Sequence, residues 1–535
     1  MTRDPRAFFA LDLGAATTSA ALLGRVPDRW RLLGSLSCSS EVPLVAVLAR
    51  LVERFAAADP ELALVLGAGP AAASWPRLTV HSVPPAGLAV VAVSERALGA
   101  LADVAALTGW RVIAGSAERL DPLSMTKMLL DPDVSSVLVG AGEPPGADER
   151  GGLGDLAALA AAVAIRRPEL PIILAGAMAD QGPRFEARPA QGPGAVVLAP
   201  AAAAGVPPGT ALRATLEGLR GLADDARRSF ARATATLAEA LDRRIEAIDI
   251  GIDGGVRVVA SPRAGQEPAM TAAAVVADAA LAPPDPDEEV VDGVVGWSTL
   301  PADRHRMRDR LRELRRLPWG DATGDGAPFR LSAARAALER LVAATPDLDA
   351  LPPADMLVIA GGAWAVAPGP AIALAAADVI RRPGVTQIVF DHARLLAPLG
   401  TIEDHDERRV LLADLAGDLL APLGTVVMPQ GMRGGRNAGR LLVHGATGSS
   451  ELDLVPGGIE LVDLPPGESA VAEFEFRDQV RLGTRGKHFA VDVAGGLGGL
   501  IVDLRDIPLR LPDRAERRRE LLAAWQEALW AGVSG

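Results

Sequence analysis

The chain of 535 residues contains one cysteine, no tyrosine and only two lysines, Lys127 and Lys487. With Cys38 as its single thiol, the chain can form no internal disulfide and no metal site from several cysteines. No apolar run reaches the roughly 18 to 20 residues that a membrane-spanning helix needs. The first nine residues carry charges and lack the apolar stretch of a signal peptide. We therefore expect a cytoplasmic protein that does not bind membranes.

The charge balance excludes a further class of partners. Acidic residues outnumber basic ones, and the formal net charge is −13 at pH 7. Such a chain is not expected to bind nucleic acids or anionic membranes in general. Hydrophobic residues make up 49% of the sequence, which is enough for more than one core. A chain of this length is expected to form two or three domains.

Two similar segments organise the sequence. An apolar run over residues 8–13 includes Asp12 and ends at Gly14; small residues and a second apolar run over 20–23 follow. This pattern predicts a β-hairpin whose glycine allows a ligand to approach the turn closely. Residues 246–260 repeat it, with Asp249 two residues before Gly251. A repeated hairpin of this kind predicts a fold with two lobes.

The rest of the chain predicts an α/β protein with a substantially parallel sheet, because short apolar runs alternate with helical patterns. The predicted strands are residues 63–66, 89–93, 111–113, 136–139 and 172–174, and the predicted helices are 44–57, 94–108, 155–165 and 212–242. A later strand ends in Gly361-Gly362, and short strands with glycines begin near residue 424. We predict lobes at 1–245 and 246–423, followed by a β-rich domain at 424–535.

An Asp-x-Gly hairpin can serve nucleotide chemistry. Its carboxylate can orient water around Mg²⁺, and the backbone amides of the turn can donate to phosphate oxygens. In actin-like folds, two such hairpins and a Gly-Gly segment surround the phosphates and the adenosine. The alternative for Asp12 and Asp249 is turn formation through their own side chains. The Gly-x-x-x-x-Gly-Lys-Ser/Thr phosphate loop and the Gly-x-Ser-x-Gly nucleophile motif are both absent.

These segments resemble the glutamate mutase accessory family. Residues 11–19 are similar to its opening Asp-Phe-Gly-Ser-Thr-x-Thr-Lys, and residues 248–255 stand where it has Asp-Val-Gly-Gly-Ala-Thr-Thr-Asp. Residues 358–362 resemble its Gly-Gly segment. The most specific match is the stretch from Pro456 to Leu509, and the resemblance spans nearly the whole chain. It implies a two-lobed, actin-like ATPase fold with a β-rich C-terminal domain.

The resemblance also implies site residues and a function. Asp12 and Asp249 would be the catalytic residues and the Mg²⁺ ligands. The residues expected to bind ATP are Gly14, Thr17, Thr18, Gly251, Asp253, Gly254, Gly361 and Gly362. The family is thought to act as ATP-dependent chaperones that release damaged cobalamin from adenosylcobalamin-dependent mutases or aminomutases. Such a mutase or aminomutase is the expected partner.

The sequence departs from the family pattern in both loops. Ser19 replaces the lysine of the first loop, and Ala15-Ala16 replace its Ser-Thr pair. Gly254-Gly255-Val256 replace Thr-Thr-Asp in the second loop. We therefore expect weak or absent ATP hydrolysis with nucleotide binding retained. Two alternatives stay open, a non-catalytic scaffold of the same fold and a small-molecule kinase with Asp253 as its base.

Overall fold

The computed structural model describes residues 6–68, 75–142, 145–199, 209–220, 225–262, 271–301, 303–319, 324–432, 437–446 and 448–530. The chain divides into two compact units. Unit 1 comprises residues 1–83, 225–273 and 279–535, and unit 2 comprises residues 84–224 and 274–278. The three predicted domains follow other boundaries and stay a prediction.

The strands and helices are numbered along the chain. The strands are β1 (Ala7–Gly14), β2 (Thr17–Val26), β3 (Arg29–Ser39), β4 (Arg77–Ser82), β5 (Gly87–Ala92), β6 (Arg111–Ser116), β7 (Val134–Ala141), β8 (Ile172–Gly176), β9 (Val196–Ala199), β10 (Ile245–Gly251), β11 (Gly254–Ala260), β12 (Thr271–Val276), β13 (Met356–Ala360), β14 (Gly384–Asp391), β15 (Leu420–Met428), β16 (Gly439–Gly445), β17 (Gly448–Leu454), β18 (Ile459–Val462), β19 (Ser469–Leu482), β20 (Thr484–Ala494) and β21 (Leu500–Asp503). The α-helices are α1 (Leu44–Ala58), α2 (Pro60–Leu66), α3 (Glu95–Ala106), α4 (Pro122–Leu129), α5 (Ala147–Arg166), α6 (Thr210–Arg220), α7 (Asp225–Leu241), α8 (Glu288–Trp297), α9 (Arg304–Arg316), α10 (Gly326–Ala343), α11 (Pro346–Asp349), α12 (Gly369–Val379), α13 (Leu396–Leu399), α14 (His405–Leu419) and α15 (Ala515–Trp530). Short 3₁₀ helices cover Ala177–Phe185, Ala277–Ala279 and Gly362–Trp364.

The first sheet of unit 1 has the strand order β3-β2-β1-β4. Strand β1 is antiparallel to β2 and parallel to β4. Helix α1 packs on this sheet because its buried residues recur at helical spacing, from Val47 through Leu51 to Phe55. They join Phe9 and Leu22 in one hydrophobic core. The apolar run predicted as a strand is therefore β1, and the predicted hairpin forms with β2.

The second sheet of unit 1 repeats this arrangement and extends it. Its order is β12-β11-β10-β13-β14-β15-β21-β18. Strand β10 is antiparallel to β11 and parallel to β13, just as β1 relates to β2 and β4. Strand β14 continues the parallel series beside β13. Two sheets in which an antiparallel hairpin is joined by parallel strands define the actin-like fold, so the predicted fold class is confirmed.

The C-terminal part of unit 1 is rich in β-structure, as predicted. Strands β18 and β21 extend the second sheet, and the antiparallel strands β17-β16-β19-β20 form a separate sheet. The C-terminal segment is anchored by buried charges. The guanidinium of Arg505 lies 2.7 Å from carboxylate oxygens of both Asp378 and Asp503, and it stacks 4.4 Å from the ring centre of Trp525 on α15. Two residues of the stretch with the firmest sequence resemblance, Asp503 and Arg505, thus stabilise the packing of this segment.

Unit 2 is a parallel α/β domain with the strand order β6-β5-β7-β8-β9. Hydrophobic cores cover both faces of its sheet, which explains why its strands are apolar throughout. Sheets of this order commonly bind ligands where the strand order reverses, here between β5 and β7. At that point Ser94 donates a hydrogen bond to Glu149, which also accepts from the Gly146 amide at 2.9 Å. The protein's own side chains therefore bridge this crevice.

One predicted strand is wrong, since residues 63–66 belong to helix α2. Asp59 caps that helix by accepting a hydrogen bond from the Leu62 amide at 3.0 Å, and Pro60 occupies its first turn. A short apolar run cannot by itself distinguish a strand from a buried helix. The predicted helices over 212–242 are present as α6 and α7, apart from residues 221–224, which lie outside the described residues. No helix in the described part of the chain is long and apolar enough to cross a bilayer.

Candidate functional site

The two predicted hairpins of unit 1 have the same geometry. Each closes through a two-residue loop, Ala15-Ala16 in the first and Ile252-Asp253 in the second. Asp12 pairs with Ser19 across its hairpin, and Asp249 pairs with Val256. On the other side, Asp12 lies beside Val80 of β4 and Asp249 lies beside Ala360 of β13. The weak sequence repeat therefore corresponds to a structural repeat with the aspartates in equivalent positions.

The two hairpins contribute to one cleft in unit 1. Its empty space is about 830 Å³, with the open solvent at its mouth included. The predicted site residues that line it are Asp12, Gly14, Thr17, Asp249, Gly251, Asp253, Gly254, Gly361 and Gly362. Thr18 does not line this cleft. It is buried in β2 and pairs with Leu13 and Cys38, and its side chain points to the opposite face from Thr17 because successive strand residues alternate.

Asp12 has a hydrogen-bond donor from the neighbouring strand. The Ser82 hydroxyl donates to Asp12 Oδ1 at 3.2 Å. Removal from bulk water raises the pKa of the Asp12 carboxyl, while the charge of Arg394 and the Ser82 hydrogen bond act in the opposite direction. The sequence pattern does not indicate Ser82, because this residue lies on β4, which is not among the predicted strands.

Asp249 lies in a less favourable electrostatic environment. Desolvation in the cleft and the nearby negative charge of Asp12 raise the pKa of Asp249 to about 7. Asp391 adds to this repulsion, whereas Arg394 and Arg227 reduce it. Like charges in a desolvated site disfavour simultaneous ionisation. Near neutral pH, the Asp249 carboxyl is therefore divided between its protonated and ionised forms.

The Gly361-Gly362 segment fits directly against the second hairpin. Gly361 has φ of 97°, and a Cβ placed there would lie 2.5 Å from Asp249 Oδ1. Only glycine is free of strain in this position. The buried Arg330 fixes the segment by donating to the carbonyl oxygens of Gly362 at 2.6 Å and Ala363 at 3.2 Å. The predicted glycines therefore lie at the cleft, held by an arginine that the sequence analysis did not single out.

A second arginine reaches the cleft from the turn after β14. The buried carboxylate of Asp391 accepts hydrogen bonds from the amides of Leu395 and Leu396 at 2.9 and 3.0 Å. This turn holds Arg394 at φ 54°, and its side chain lines the cleft beside Gly362. Polar residues that follow a parallel strand often reach a ligand site, and this rule would have indicated Asp391 and Arg394.

Asp253 and Ser19 are both held by side chains of neighbouring elements. Asp253 is 8% exposed and lies 2.6 Å from the guanidinium of Arg315 on α9. Ser19, which stands where the resembled family has lysine, is buried and shares a 2.8 Å hydrogen bond with the Ser37 hydroxyl. Ser19 does not line the cleft. It therefore offers no substitute for the missing lysine.

The carboxylates of Asp12 and Asp249 suit a magnesium ion that is bound together with a nucleotide. They are less suited to hold the ion without one. Among the residues that the structure describes, no group of three or more His, Cys, Asp or Glu side chains is placed to hold a metal ion. Mg²⁺ usually keeps several waters and takes one or two carboxylates together with substrate phosphates. Asp12 and Asp249 match that donor set, and their mutual repulsion would be relieved by a cation.

The fold and this cleft define an α/β protein of the actin-like ATPase fold class. No protein-family model matches the sequence, and no curated protein matches it. The chain is similar to nucleotide-free acetone carboxylase, at 11% identity over 74% of this chain and 69% of that one, with a TM-score of 0.29. It is also similar to the PilM–PilN type IV pilus biogenesis complex, at 12% identity over 76% and 96%, with a TM-score of 0.24.

A third similar structure is the ROK hexokinase from Thermus thermophilus, at 13% identity over 74% of this chain and 97% of that one, with a TM-score of 0.22. Because these scores are low, we take the fold from the strand orders and registers of the two sheets. The resemblance to the glutamate mutase accessory family is not confirmed by any of these comparisons.

Proposed function

We propose that the cleft of unit 1 binds a nucleoside triphosphate, ATP, as its Mg²⁺ complex. The observation that carries the proposal is the placement of Asp12 and Asp249 at equivalent positions of two hairpins that line one cleft with Gly361 and Gly362. The loops offer backbone amides to phosphate oxygens. Asp12 and Asp249 would hold the ion through its waters, and bound Mg²⁺ would neutralise charge on the phosphate oxygens.

We expect hydrolysis to be slow. The transition state of phosphoryl transfer is stabilised by positive charge and hydrogen-bond donors around the phosphoryl group. The loops have Ala15, Ala16 and Gly254 at places where the resembled family has hydroxyl groups. Asp249 is our candidate for the general base that accepts a proton from an attacking water. Its pKa of about 7 holds for the protein alone, and bound Mg²⁺ would lower that pKa and keep the carboxylate ionised.

The test is isothermal titration of the whole protein with ATP and Mg²⁺, repeated on Asp12→Asn. Asp406→Asn is the matched control, since Asp406 is an exposed residue of α14. We expect micromolar binding by the wild type and by the control, and a loss of roughly 10-fold or more in Asp12→Asn, as for a lost charge-assisted contact. Thermal melting must show that the variant is folded. No heat with wild-type protein at tens of micromolar contradicts the proposal.

The partner proposed for this nucleotide-dependent function is an adenosylcobalamin-dependent mutase or aminomutase in the cytoplasm. Only the sequence resemblance supports this part, chiefly the stretch from Pro456 to Leu509. Binding of ATP would change the arrangement of the two hairpin sheets and loosen the cobalamin of the partner. Capture of a mutase by the tagged protein, with faster cobalamin exchange when ATP is present, is the expected result. Failure to bind any such mutase removes the partner and leaves nucleotide binding intact.

A second candidate is a non-catalytic scaffold, favoured by the loss of hydroxyl groups and lysine from the loops. It predicts partner binding that does not respond to ATP and Mg²⁺. The small-molecule kinase is the least supported candidate, because the carboxylate of Asp253 already contacts Arg315. A base for substrate deprotonation would have to leave that ion pair.

A further inference from the structure

The cleft contains a cation that no sequence motif assigned. Arg394 lies on the turn between β14 and α13, and its half-buried side chain lines the cleft. Within the described part of the chain, the guanidinium makes no hydrogen bond and no close ion pair. It nevertheless interacts electrostatically with both Asp12 and Asp249. A guanidinium that is left with free donors beside two carboxylates has the capacity to bind an anion.

The backbone fixes where this guanidinium lies. The Asp391 carboxylate accepts two amide hydrogen bonds that close the turn containing Arg394. Arg394 has a positive φ of 54°, which is uncommon for a residue other than glycine. Such strain occurs preferentially at functional sites. Gly362 leaves room for the guanidinium, because a Cβ at Gly362 would lie 3.0 Å from Arg394 Nη2. The two glycines thus have different roles, one beside the Asp249 carboxylate and one beside Arg394.

We infer that Arg394 binds the terminal phosphate of the nucleotide and takes the place of the missing first-loop lysine. This inference rests on the proposed function. The planar guanidinium can donate two parallel hydrogen bonds to phosphate oxygens, which a lysine cannot do. It reaches the phosphate from the side of the Gly361-Gly362 segment, whereas Ser19 lies buried away from the cleft. Beside the first hairpin, the residue equivalent to Gly362 is Ser82, whose hydroxyl donates a hydrogen bond to Asp12.

The experiment compares Arg394→Met with the wild type by titration with ATP, ADP and AMP in the presence of Mg²⁺. We expect ATP affinity to fall about 10- to 100-fold, as for a lost charge-assisted contact. ADP affinity falls less and AMP affinity is unchanged. Arg394→Lys keeps the charge and loses the paired donors, so it gives an intermediate result. The control is Arg316→Met, an exposed arginine on α9 that does not line the cleft.

Gly362→Ala gives a second test that retains the charge. Its methyl group displaces the guanidinium, so we expect a smaller loss that again affects ATP more than ADP. Two outcomes overturn the role of Arg394 and leave the proposed function standing. The first is an equal loss of affinity for all three nucleotides, and the second is unchanged ATP binding by Arg394→Met when the wild type binds ATP. Absence of binding by the wild type overturns the proposed function and this inference together.

Discussion

The two hairpins share a backbone arrangement but differ in what surrounds their aspartates. Beside the first hairpin, β4 supplies Ser82, whose hydroxyl donates to Asp12. Beside the second, the equivalent place is Gly362, and the residue before it, Gly361, lies against the Asp249 carboxylate. Asp12 thus has a local donor, whereas Asp249 experiences the charge of Asp12 and has a pKa of about 7. Equivalent positions in a repeat can therefore have different protonation behaviour.

The largest expected effect on the free energy of unfolding is that of Gly361→Ala, compared with His81→Ala. Gly361 and His81 occupy equivalent places beside the two hairpins. Gly361→Ala forces a side chain onto a positive φ and against Asp249 Oδ1, so we expect a loss of about 2–5 kcal/mol in the free energy of unfolding. His81→Ala, at an exposed residue, is expected to change it by less than about 0.5 kcal/mol. Denaturant unfolding of both variants measures the difference. Similar values for the two would contradict the close fit of Gly361.

The second prediction concerns the pH dependence of stability. The folded protein keeps the Asp249 proton up to about pH 7, while the unfolded chain loses it near 3.8, so this group lowers stability as pH rises between those values. Asp249→Asn removes that loss. We expect the variant to gain about 2 kcal/mol over the wild type between about pH 5 and pH 8, after allowance for water in the cleft.

Asp12→Asn tests whether the two aspartates differ in this respect. Asp12 is also desolvated, but the Ser82 hydrogen bond stabilises its ionised form. Asp12→Asn also removes the negative charge that raises the pKa of Asp249, so it recovers part of the gain seen with Asp249→Asn, and a smaller pH-dependent gain is expected. Urea unfolding at several pH values compares the two variants. An equal gain in both would show that the two carboxylates are not distinguished as described.

The smallest expected effect comes from Ser82→Ala. This change removes the hydroxyl that donates to Asp12, so we expect a loss of about 0.5–1.5 kcal/mol in the free energy of unfolding. It also raises the pKa of Asp12, because the hydrogen bond favours the ionised carboxylate. Ser40→Ala is the control variant, because the Ser40 hydroxyl donates to the Ala15 carbonyl and not to either aspartate. A larger effect in Ser40→Ala would contradict a special role for Ser82.

The sequence indicated the hairpins and the fold class because both depend on local patterns. An apolar strand that ends in Asp-x-Gly is visible in a short window, and so is its repeat. The contribution of Ser82 depends on the pairing of β4 with β1, which joins distant segments. Arg394 follows a predicted strand, but no local motif marks it as a phosphate ligand. Thr18 lies outside the cleft although the motif includes it, because successive residues of a strand alternate between the two faces of the sheet. The apolar run 63–66 predicts a strand, whereas the cap by Asp59 makes it part of helix α2.

The most direct test of the central claim is amide hydrogen exchange of the whole protein with and without ATP and Mg²⁺. We predict that the nucleotide slows exchange in the two hairpin loops, residues 14–17 and 251–254, and in the segment 361–362, because these residues line the cleft. Exchange on the exposed face of β19 and β20 should not change. Unchanged exchange at all three segments under saturating nucleotide, or protection confined to other parts of the chain, would contradict the assignment of this cleft as the nucleotide site.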